Sequence, residues 1–202
     1  MNNQVSLSHK IHSFVSAKLS HICVLTVVQF VFWLGVLRYI ELPGVYMDAV
    51  NPDYLAAHYL NPALKNPSFM MPTAWFPILG GLYHGVQNFY VDLPVFWLLG
   101  SNVVSIRLAQ AVFGSFLLSV FYIFLIKSNV SRAISVLVTL LLATDVALLS
   151  SFRTQFYIIL SGTPWLLLAL VFLVWRDDSE KLSSQRLFFS GVAMGLSVYA
   201  YF

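Results

Sequence analysis

Charge is scarce in this sequence. Asp, Glu, Lys and Arg make up 9% of the 202 residues, against 59% hydrophobic ones. A soluble domain carries about 25% charged residues to cover its surface, so a water-soluble globule is excluded. The sequence has one cysteine, Cys23, and hence no intrachain disulfide and no Cys/His metal spacing. Inside an apolar run, it is expected to be a small buried hydrophobe. A serine nucleophile elbow, a phosphate-binding glycine loop and a zinc pattern are also missing, which leaves cytoplasmic nucleotide chemistry without support. The net charge of +3 is no nucleic-acid signal, because the basic residues sit singly at the ends of apolar runs. Membrane topology places them there.

Long apolar runs separated by short polar clusters are what the sequence does have. They indicate an all-α, polytopic bundle of about five transmembrane spans, at 20–40, 104–126, 133–149, 156–175 and 187–202. Roughly 20 helical residues cross the hydrocarbon core. Residues 1–18, with Lys10, His12 and Lys18, form a short amphipathic lead-in without a cleavage signature, so the first run reads as an uncleaved anchor. The whole chain reads as one transmembrane domain. Its last run is short for a span and has no polar flank, so the sequence reads as the N-terminal part of something longer.

Residues 41–103 are too apolar for a plain loop and too broken for simple spans. Asn51-Pro52-Asp53 is a helix start, with a capping Asn, Pro at the first position and an acid in the first turn. Asn61-Pro62 stops that helix. From 78 to 99 the run holds Gly80-Gly81, His84, Gln87-Asn88, Asp92 and Pro94, which fits short helices on the membrane surface better than a span. With 41–103 kept on one side, Lys10, Lys18, Lys127, Arg132, Arg176, Lys181 and Arg186 share the starting side. Arg38, Lys65, Arg107 and Arg153 are left on the other. The positive-inside rule then puts the N-terminus in the cytoplasm and the large first loop outside, as expected of a bacterial cytoplasmic-membrane protein.

Chemistry is expected from few residues. Asp53 has an ordinary role as a first-turn acid complementing the helix dipole. Asp48 precedes the cap, has no such role, and is suited to accept a proton or help hold a metal. Asp145 lies within an apolar run, where an acid is either functional or bonds a neighbouring helix. Arg107 and Arg153 flank spans and either snorkel or face a phosphate. His58 and His84 carry no specific signal.

One span, a large outer loop opening with an acid and carrying surface helices, then clustered spans, together resemble the GT-C glycosyltransferases. Gly44-Val45-Tyr46-Met47-Asp48 resembles the first-loop acid segment of protein O-mannosyltransferases and aminoarabinose transferases. The stretch 97–114, with Arg107, resembles their entry to the second span. Leu140-Leu141-Leu142-Ala143-Thr144, followed by Ser150-Ser151-Phe152-Arg153, resembles the third span and its exit, and the stretch from Ser190 to Tyr199 a later span. Two departures stand out. Asp48 is followed by Ala49 where many relatives have Glu, and Arg153 by Thr154-Gln155 where many carry an acid.

The resemblance implies transfer of a sugar from a polyprenyl-phosphate donor to an acceptor hydroxyl or amine. Asp48 would be the base, and Asp53 a second acid or a ligand for a divalent metal, which only some branches use. Arg107 would orient an acid or the donor phosphate, Arg153 would partner that phosphate, and Tyr46 would line the substrate site. The expected partners are the bilayer and the lipid-linked donor, with no nucleic acid. The alternatives are a non-catalytic membrane subunit or inactive remnant and, behind them, a transporter.

Overall fold

The computed structural model describes residues 2–42, 54–64, 85–151, 157–175 and 183–200, and no β-strand occurs among them. The helices in these residues are α1 (Asn2–Leu37), α2 (Tyr54–Leu60), α3 (Gln87–Leu99), α4 (Val103–Lys127), α5 (Arg132–Thr144), α6 (Val146–Ser151), α7 (Tyr157–Val174) and α8 (Ser184–Tyr199). The described residues are thus all-helical in their regular structure. Two stretches, Leu19–Leu37 of α1 and Val103–Lys127, are long and apolar enough to cross a membrane. The polar lead-in does not form a separate element, since α1 runs unbroken from Asn2.

Local chemistry sets several helix ends. Gly100, at φ 76, ends α3 in the left-handed region that favours glycine. Two residues on, the side chain of Asn102 accepts from Ser105 N at 3.0 Å and starts α4. Asn129, at φ 61, turns the chain into α5, which Ser131 caps. Asn61 follows the end of α2 as expected, and its side chain accepts from Ala63 N at 3.2 Å.

The run 133–149 departs from expectation, because its helix breaks at Asp145. The Asp145 carboxylate accepts from Leu148 N at 2.8 Å and its carbonyl from Leu149 N at 2.9 Å, so the acid caps α6. Among the described residues, its hydrogen bonds go to its own chain's next turn. Asp145→Ala is expected to cost about 0.5–2 kcal/mol of stability, the usual worth of such a cap, in a thermal melt of the purified protein.

A ladder of polar contacts sets α1 antiparallel to α4. His21 Nδ1 shares a 2.7 Å hydrogen bond with Tyr122 OH, and Gln29 Nε2 donates to Ser115 O and Ser119 Oγ, both at 2.9 Å. At the far end the Arg107 guanidinium donates to Ile40 O. Apolar side chains fill between these rungs, with Val28, Phe32 and Val36 of α1 against Ala111, Leu117 and Leu118 of α4. Helix α5 runs parallel to α1, with Arg132 Nη2 donating to Ser20 O at 3.0 Å. Helix α7 runs parallel to α4: the Phe116 and Trp165 rings are 4.9 Å apart, and Lys127 Nζ lies 3.7 Å from the Trp175 ring centroid. Helix α8 returns antiparallel along α7, where Ser190 Oγ donates to Ala169 O at 3.0 Å.

These contacts define two ends. Lys127, Arg132 and Arg186 gather at the Ser20 end, where Arg186 donates to Trp175 O. Helices α2 and α3 occupy the Ile40 end, packed through Leu55, Ala56, Val86, Phe89 and Phe96.

Candidate functional site

Arg107 is the expected site residue that the structure places. It lies one turn into α4, is 2% exposed, and reaches across to the carbonyl of Ile40 just beyond α1. It therefore does not snorkel. A guanidinium is always charged, so its burial requires hydrogen-bond partners, and a backbone carbonyl is one it can satisfy with a charge-assisted bond. The contact joins the start of α4 to the end of α1, so both ends of the 41–103 segment meet at one end of the helix pair.

Tyr46, Asp48, Asp53 and Arg153 lie outside the described residues, as does His84. Asp53 immediately precedes Tyr54, the first residue of α2. His58 is explained locally: its ring stacks on Tyr54 and its Nδ1 bonds Leu64 O at 2.6 Å. Asp145 is engaged as a helix cap. Among the described residues no group of three or more His, Cys, Asp or Glu gathers to hold a metal ion.

The structure adds an acid that sequence reasoning did not single out. Asp92 of α3 is 0% exposed, on a stripe with Asn88 and Phe96 at four-residue spacing. Helix α3 packs on α2 and α4, and Gln110 and Ser105 of α4 are buried as well. The Asn88 side-chain oxygen and Ser105 Oγ are buried with no hydrogen-bond partner among the described residues. A carboxylate enclosed in this way requires cations or donors around it, so the Ile40 end holds a polar core where the sequence suggested helices resting on lipid. The available signal was the i,i+4 pairing of Asn88 with Asp92 inside an apolar run.

Gln87 fixes α3 against the rest of the bundle. Its Nε2 donates to Leu196 O at 2.5 Å, and its Oε1 accepts from Trp165 Nε1 at 2.9 Å. The preceding Gly85 lies so close to α8 that a Cβ there would overlap Tyr199 O. Chemically, the Ile40 end offers a fixed cation, a buried acid and polar groups with unused capacity. No family model, no curated protein and no solved structure matches the chain.

Proposed function

We propose that the protein is a GT-C-type membrane glycosyltransferase, with about five spans and its active face at the Ile40 end, outside the cytoplasm. The observation that carries this reading is the buried contact of Arg107 with Ile40 O, which closes the second long apolar helix onto the end of the first. Asp48 lies six residue steps beyond Leu42, a reach of at most about 22 Å, so the Asp48 segment is tethered to that junction. The surface distribution also supports a membrane setting. Ile22, Val27, Phe30 and Leu34 point outward from α1, while His21 and Gln29 make polar bonds inward.

In the proposed reaction the Asp48 carboxylate takes the proton from the acceptor hydroxyl or amine as that atom attacks the anomeric carbon. The bond from that carbon to the phosphate oxygen breaks, polyprenyl phosphate leaves with the electron pair, and the configuration inverts. Arg107 and Arg153 would offset the charge developing on the phosphate, and Tyr46 would line the site. The test is transfer by the full-length protein in liposomes supplied with radiolabelled polyprenyl-phosphate sugars. Label is expected in acceptor of inverted configuration, formed on the face bearing the first loop. No transfer from any donor, with a stoichiometric membrane neighbour co-purifying, would overturn the enzyme reading in favour of a non-catalytic subunit. That second reading draws on α8, whose Leu187, Phe188, Phe189 and Val198 are all exposed. The transporter reading drew on Asp145, whose carboxylate caps α6.

A further inference from the structure

Between α1 and α5, at the Ser20 end, the helices leave an open groove of about 470 Å³. Its lining runs from Leu19 to Val28 on α1 and from Arg132 to Leu140 on α5, so at about 1.5 Å per residue the slot is roughly 12–14 Å long. That length and the aliphatic lining suit a single hydrocarbon chain lying between the two helices.

The lining is sorted along its length. Ser20 and Arg132 stand at one end, and beyond them Val24, Val27, Val136 and Leu140 are all aliphatic. Cys23 lines the slot and is exposed, contrary to the buried position expected of it. Arg132 donates one Nη2 hydrogen bond to Ser20 O, which holds the guanidinium at the mouth. Of its five donors, that bond uses one. The N-terminus of α5 adds its own positive potential, and Lys127 and Arg186 stand at the same end. By sequence Lys18 adjoins Leu19, and the segment 176–182, outside the described residues, carries both signs.

We infer that this groove binds one acyl chain of an anionic glycerophospholipid, with the lipid phosphate on Arg132. The inference rests on the membrane reading proposed above. The site is separate from any sugar-donor site, because Arg107 and the entry to the Asp48 segment lie at the opposite end of α1. A cation at the mouth of a hydrocarbon slot complements an anionic headgroup over its own chain, and juxtamembrane basic residues attract anionic lipid generally.

The experiment purifies the full chain from nanodiscs of equal parts phosphatidylglycerol and phosphatidylcholine into mild detergent, and counts retained lipid by native mass spectrometry. Phosphatidylglycerol is expected to stay bound at about one per chain, to fall about tenfold in Arg132→Gln, and to be largely restored in Arg132→Lys. Arg132 is exposed, so neither variant threatens the fold. Equal retention of the two lipids, or no change in Arg132→Gln, would overturn the inference. So would efficient Cys23–Cys23 cross-linking in the nanodisc, which would mean that a second copy covers the groove. An alkaline carbonate wash of cell membranes separates the two failures. Protein released by that wash removes the membrane reading itself, whereas retained protein without selective lipid removes only the groove.

Discussion

Asp48→Asn is expected to lower sugar transfer by about 10²–10⁴-fold, the usual contribution of a positioned general base, while expression and melting temperature stay at wild-type values. Asparagine keeps the size and the hydrogen-bonding reach of the side chain but cannot take the acceptor proton. The comparison variant is Asp53→Asn. By sequence its carboxylate has the role of a first-turn acid complementing a helix dipole, so the variant is expected to lose less activity and show a small stability change instead. Steady-state transfer and a thermal melt, measured on the same preparations, check both. Full activity in Asp48→Asn would sink the assignment of the base. An equal loss in both variants would point to a shared role, such as a pair of metal ligands.

Gly85→Ala is expected to be the most damaging of the conservative changes to the fold. The added Cβ would overlap Tyr199 O, and the obstacle is backbone, so the start of α3 must move off α8. Overpacking costs about 1–3 kcal/mol in general, and here the shift also stretches both Gln87 hydrogen bonds. The control is Gly191→Ala, in the middle of α8 with nothing within 4 Å of the new Cβ. Helix propensity alone makes that change neutral or stabilising by roughly 0.5–1 kcal/mol. Thermal unfolding in detergent should therefore move in opposite directions for the two glycines. Equal melting temperatures would mean that α3 and α8 do not meet at Gly85.

The helices themselves were legible because apolar run length and capping residues are local signals. Asn61-Pro62 past the end of α2 declares itself within a few residues, whereas the caps at Gly100, Asn102 and Ser131 were recognised in the structure. The break at Asp145 was not legible in the same way. An acid in an apolar run has the same sequence signature whether it faces a bundle interior or caps a new turn, and only the Leu148 amide decides. Cys23 and Arg107 exchanged expected environments for a related reason. Burial depends on which face of a helix meets its partner, and both lie in apolar runs with little amphipathic pattern to show the face. Asp92 was hidden by its neighbours, since a run broken by Gly, His and Pro reads as surface helix until α3 is seen packed on α2 and α4. Of the candidate site, the sequence alone pointed to Arg107; the Ile40 partner required the antiparallel pairing of two helices distant in sequence.

The polar rungs between α1 and α4 have a consequence for biosynthesis. His21 and Tyr122 are 101 positions apart, and Gln29 and Ser119 are 90 apart. A ribosome delivers α1 long before it delivers the partners of those side chains. At about 5–20 residues per second, the wait is roughly 5–20 seconds. On the membrane reading proposed above, His21 and Gln29 are then to be hydrated or held by the insertion machinery during that interval, since hydrocarbon offers them nothing. Arrival of α4 supplies those partners, and Arg107, the first of the partner groups to be made, closes on Ile40.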